Sequence, residues 1–70
     1  MRYTVSRFEH PVLYQGKTEE YALHGEDRGA HYLLEKGGLE DVIRSIPDDL
    51  LERNLDAILA LQPGEELELR

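Results

Sequence analysis

Between His24 and His31 the chain reads "HGEDRGAH", placing His24, Glu26, Asp27 and His31 within one short stretch. Imidazole and carboxylate donors are ligands of zinc and other divalent ions. The spacing matches no recurrent metal site, however, and a glycine-flanked acidic stretch is ordinarily solvated loop. A small metal-binding protein is therefore only a third reading, with no metal ligand assigned. Phosphate cradling by the same glycines is excluded, because Glu26 and Asp27 would repel an anion. The remaining histidine, His10, stands apart from this group.

Covalent chemistry needs a nucleophile beside a base. Ser6 and Ser45 lie in no such motif, and Ser45 fits helix-end capping instead. The adjacent carboxylates Asp48 and Asp49 fit the start of a helix, whose dipole favours negative charge there. No catalytic residue is assigned and no cofactor motif is present, so neither enzymatic activity nor a cofactor is expected.

The strongest signal is the distribution of charge. Net charge is −7. Residues 1–36 hold five basic and six acidic side chains, whereas residues 37–70 hold three basic and nine acidic ones. Such a field repels nucleic acid and anionic membranes and attracts basic surfaces. Direct nucleic-acid binding and membrane binding are not expected.

These groups must be positioned by one small domain spanning residues 1–70. A chain this short buries about 60% of its unfolded surface, and without cysteine it has no disulfide to help. The opening "MRYTVSRFEH" lacks the apolar run of a secretion signal. The longest charge-free stretch, Ala57 to Gly64, falls far short of the roughly 20 apolar residues of a membrane span. A soluble, cytoplasmic protein is expected.

Tyr3 and Val5 alternate with polar neighbours across Arg2–Phe8, the period of a strand. His10-Pro11 predicts a break, with Val12-Leu13-Tyr14 as the next strand. After a turn at Gly16-Lys17, Tyr21 and Leu23 predict another, and "GEDRG" reads as loop. Ala30–Lys36 fits both a strand and a short helical turn, and the reading leans to helix or irregular turn. From Leu39 the period changes: Leu39, Val42, Ile43 and Ile46 share one helical face. Pro47 ends that helix and starts a second. There Leu50, Leu51, Leu55, Ile58, Leu59 and Leu61 form a broad apolar stripe with Leu55 at its centre, expected in the core. Pro63-Gly64 stops the second helix, and Leu67 and Leu69 alternate as a terminal strand. The predicted fold class is α+β: a small antiparallel sheet, built from N-terminal strands plus the C-terminal strand, with two consecutive helices packed on one face. The apolar stripe exceeds what a thin sheet easily covers, so a weak homodimer is expected.

The two helices superficially match a helix-turn-helix. The Pro47 junction reads as shorter than the usual turn, and the second helix would offer Asp48, Asp49, Glu52 and Asp56 to phosphates with only Arg53 in compensation. Two-helix packing is the structural expectation. Glu40, Asp41, Asp49, Glu52 and Asp56 become the candidate partner-binding residues. Carboxylates at i, i+3 and i+4 stand about 5–6 Å apart, a ladder loosely like a run of phosphates. Solubility alone is the plainer explanation of the same acid.

From Ser45 to Leu69 the run "SIPDDLLERNLDAILALQPGEELEL" resembles the C-terminal part of a family of small acidic phage anti-CRISPR proteins that act on type I surveillance complexes. The resemblance is carried by Ser45, Ile46, Pro47, Leu50, Leu51 and Glu52, then by Leu61, Gly64, Glu65, Leu67 and Leu69. Glu40 also falls on an acidic position, and residues 1–38 match only in kind. It implies a strand–helix fold presenting acidic side chains to a DNA-binding site as a DNA mimic. The leading expectation is thus a small acidic module that inhibits or modulates a basic, nucleic-acid-handling protein. The alternative is a dimerising regulatory or antitoxin-like module that binds through apolar surface.

Overall fold

The computed structural model describes Met1–Arg70 as three long strands, two helices and a short last strand. They are β1 (Arg2–Tyr14), β2 (Lys17–Asp27), β3 (Ala30–Gly37), α1 (Leu39–Arg44), α2 (Asp48–Leu59) and β4 (Glu66–Glu68). The strands form one antiparallel sheet in the order β3-β2-β1-β4, and the fold is the expected small α+β arrangement with two packed helices.

Two tight turns set the register of the long strands. Tyr14 pairs with Lys17 across Gln15-Gly16, and Asp27 pairs with Ala30 across Arg28-Gly29. All four turn residues have positive φ, the two-residue hairpin pattern whose twist matches the flanking strands. The second turn corrects two expectations. "GEDRG" is strand through Asp27, and only Arg28-Gly29 turns. Ala30–Gly37 is a strand rather than a helix or irregular turn, because the hairpin delivers it to the free edge of β2. A local pattern compatible with two structures is thus decided by pairing. One extra residue in β3, Leu34, bulges between the Leu23–Glu35 and His24–Leu33 pairs.

His10-Pro11 does not break β1 either. Its pairing with β2 runs to Arg7, slips, and resumes at Val12 opposite Glu19. Pro11 falls inside that slip, where no ladder N–H is required of it.

Val5, Tyr21, Leu23, Val42, Ile46, Ile58, Leu61 and Leu69 form the core between the sheet and the helices. Tyr3, Leu39, Leu50, Leu51 and Leu67 pack around them. The α2 stripe needs correction. Ile58 is fully buried, but Leu55 and Leu59 are 37% and 56% exposed, while Asn54 is buried. The inward face of α2 is therefore Leu50, Leu51, Asn54 and Ile58, continued by Leu61 beyond its end.

Asn54 is buried because it holds Arg70. Its side-chain amide donates to the carbonyl oxygens of Leu50 (2.7 Å) and Arg70 (2.8 Å), and its oxygen accepts from the Arg70 N–H (3.1 Å). Further along, Arg7 donates to the Leu61 carbonyl at 2.6 Å and lies over the Tyr21 ring. No helix is long and apolar enough to cross a membrane.

Candidate functional site

The five carboxylates singled out in the sequence divide into three kinds. Asp41 is half-buried and serves the fold: its Oδ2 accepts the Gly38 N–H at 3.2 Å, closing the start of α1. Gly37 lies so close that an added Cβ would stand 2.8 Å from the same oxygen. Glu40 and Asp49 are exposed, but each is matched one turn later, by Arg44 at 3.9 Å and Arg53 at 3.7 Å. Glu52 and Asp56 are exposed and have no ion-pair partner. Helical spacing puts Asp49 and Glu52 side by side and Glu52 beside Asp56.

The two unpaired carboxylates have apolar company. Glu52, Leu55, Asp56 and Leu59 occupy i, i+3, i+4 and i+7, a single helical face, and all four are exposed. The outward surface of α2 is therefore acidic and apolar together. Arg53, beside it, also donates to the Arg70 carbonyl at 3.2 Å, which together with Asn54 fixes the helix against the segment that follows β4.

Sequence reasoning missed both the role of Asn54 and the apolar character of this outer face. The signal was a polar residue at the midpoint of Leu51-x-x-Asn54-x-x-x-Ile58, an otherwise apolar i, i+3, i+7 series. A polar side chain there implies a buried hydrogen-bonding partner. It also implies that the inward face is rotated away from Leu55.

The junction between the helices spans Ser45, Ile46 and Pro47, long enough for a helix-turn-helix turn and not shorter, as expected from sequence. Ser45 is the C-cap of α1, its single hydroxyl proton within reach of either the Asp41 carbonyl (3.2 Å) or a Glu35 carboxylate oxygen (3.3 Å). Its role is structural, as its position suggested. The acid on α2 still opposes any use of that helix against phosphates.

The sheet face away from the helices is open. Thr4, Ser6, His24, Gly25, Glu26, His31 and Glu66 line a shallow polar groove of about 330 Å³ across it. Strand pairing thus gathers His24, Glu26 and His31 onto one face, with Glu26 opposite His31 and 3.8 Å between Nδ1 and Oε2. Nowhere do three or more ligand-type side chains converge on a metal position. Asp27 lies at the hairpin end opposite Ala30, and His10 lies on the exposed part of β1.

No family model, no curated protein and no solved structure matches this chain.

Proposed function

We propose that this chain is a small acidic protein-binding module, docking through the outer face of α2 onto a basic surface of a nucleic-acid-handling partner. The observation that carries the reading is the pair Glu52 and Asp56, exposed, free of counter-charge and bordered by Leu55 and Leu59. Carboxylates needed only for solubility require no adjoining apolar contact surface, whereas an interface combines the two. Asp49 extends the acidic row once Arg53 is drawn away. Glu40 contributes long-range field, and Asp41 is left to the fold. The reading assigns no catalytic role, no cofactor and no metal, and it includes a cytoplasmic setting. Its most specific form is occupation of a DNA-binding site on a type I CRISPR surveillance complex by DNA mimicry.

The test is the triple variant Asp49→Lys, Glu52→Lys, Asp56→Lys beside an amide control, Asp49→Asn, Glu52→Gln, Asp56→Asn. Capture from lysate identifies the partner, and stopped-flow mixing then measures association across a salt series. The lysine variant is expected to lose binding and the amide variant to retain a weakened, salt-insensitive part of it. Association rate falls first, because steering acts at long range. Equal capture by the wild type and the lysine variant at low salt would reduce the acid to a solubility surface. Inhibition of target-DNA binding by a type I complex tests the specific form separately.

A second reading keeps its own support. Leu55 and Leu59 on an exposed face also suit the dimerising or antitoxin-like module that binds through apolar surface. Such a complex barely changes with ionic strength, so the same salt series separates the two.

A further inference from the structure

The two edges of the sheet are built differently. β4 is three residues long and alternates Glu66 and Glu68 about Leu67, a short, charged edge of the kind that resists pairing. β3 is eight residues long, contains no proline and has no neighbour on its outer side. In its middle Tyr32, Leu33 and Leu34 are 49%, 57% and 40% exposed. Three consecutive exposed apolar residues on an unpaired strand are a template for another strand.

We propose that two copies of this chain pair edge to edge through β3, antiparallel about a two-fold axis at Leu33, with regular pairing confined to Tyr32–Leu34 because the bulge at Leu34 shifts the alternation beyond it. In this register Leu33 meets the partner's Leu33 on the open face, and Tyr32 meets the partner's Leu34 on the helix-bearing face. Directly opposed apolar side chains are the unit that stabilises a strand pair.

Electrostatics selects a second copy as the occupant. The polar side chains along β3 are engaged within their own chain. Lys36 reaches Glu19 at 3.6 Å, His31 reaches Glu26 at 3.8 Å, and Glu35 accepts from the Lys36 N–H and lies within reach of the Ser45 hydroxyl. A basic partner finds on this edge only Glu35, already hydrogen-bonded within its own chain, whereas an apolar strand of the same kind meets Tyr32, Leu33 and Leu34. The unpaired acid lies on α2, which is held to Arg70 just beyond β4. Three strand spacings of about 4.8 Å separate β4 from β3, roughly 14 Å and beyond the Debye length of about 8 Å at physiological salt. Pairing through β3 therefore keeps the unpaired carboxylates of the two α2 helices away from the seam. One strand per copy makes a small interface, so the dimer is weak and depends on concentration.

Sedimentation equilibrium from about 10 to 500 μM tests this, with circular dichroism confirming that each variant is folded. Wild type is expected to shift from monomer to dimer across that range. Leu33→Lys, which opposes two ammonium groups at the axis, should weaken the dimer roughly tenfold or more. Leu59→Lys, at an equally exposed site on α2, should leave it unchanged. A wild type that stays monomeric overturns the proposal, as does dissociation by Leu59→Lys and not by Leu33→Lys.

Crosslinking gives an independent reading. The chain has no cysteine, so single thiols can report the contact. Opposed residues of an antiparallel pair have Cα atoms about 4.5–5.5 Å apart, within disulfide range. On mild oxidation Leu33→Cys should form covalent dimer at concentrations where Leu59→Cys stays largely single, and equal crosslinking of the two would overturn the assignment. The lysine triple variant of α2 should dimerise like wild type, so failure of one proposal leaves the other standing.

Discussion

At the scale of single residues, α2 reverses a simple hydrophobic reading at two adjacent positions. Asn54 points into the protein and Leu55 points out. Urea titration should therefore find Leu55→Ala within about 0.5–1 kcal/mol of wild type. Ile58→Ala removes a fully buried side chain and should cost about 2–5 kcal/mol. For Asn54→Ala the expected loss is about 1–3 kcal/mol, since the Arg70 N–H and carbonyl it serves lose their partner. A large effect at Leu55 with none at Asn54 would mean that α2 is rotated from the orientation described here. Apolar spacing alone was bound to misplace this face: with Leu at 50, 51, 55 and 59 and Ile at 58 the stripe is nearly symmetric about two directions. Only the unmatched polar residue breaks that symmetry.

At the scale of elements, the parts with a strong period were legible and those decided by pairing were not. The proline between α1 and α2 and the alternation of Tyr3-Val5 and Tyr21-Leu23 correspond to the observed elements, whereas α2 ends at Leu59, short of the Pro63-Gly64 stop. Ala30–Gly37 carries no decisive period, because the bulge at Leu34 shifts its alternation midway, and its strand identity comes from β2. Of the candidate site, Glu52 and Asp56 were readable as exposed acid on a helix. The diversion of Asp41 into the cap of α1 depends on the close approach of Gly37 and was not. The hairpin turn offers a direct test. Arg28 has φ +52 and Gly29 φ +82, so Arg28→Asn should stabilise by about 0.5–1 kcal/mol, as asparagine tolerates that region better. Gly29→Ala has room for its methyl group but should destabilise by about 1 kcal/mol on backbone grounds alone. Thermal melts in which neither moves would show that the turn is not a two-residue one.

At the scale of the whole molecule, charge and sheet order act together. β3, with Glu35 beside Lys36, forms one edge of the sheet, while β4, with Glu66 and Glu68, and α2, held to Arg70, make the opposite side acidic. Self-repulsion within that acidic side should make the melting temperature rise as sodium chloride increases from about 10 to 150 mM. A falling melting temperature would mean that the surface ion pairs outweigh it. The Asn54–Arg70 contact has a further consequence, in time rather than in free energy. Both hairpins join neighbouring segments of chain and can form early, whereas β4 must find β1 across some sixty residues, with Thr4 opposite Glu68. Loop closure of that length comes late in a folding reaction. Arg28→Asn should then speed refolding with little change in the unfolding rate, while Asn54→Ala should speed unfolding and leave refolding almost untouched. The contact between Asn54 and Arg70 is, on this account, the first to let go.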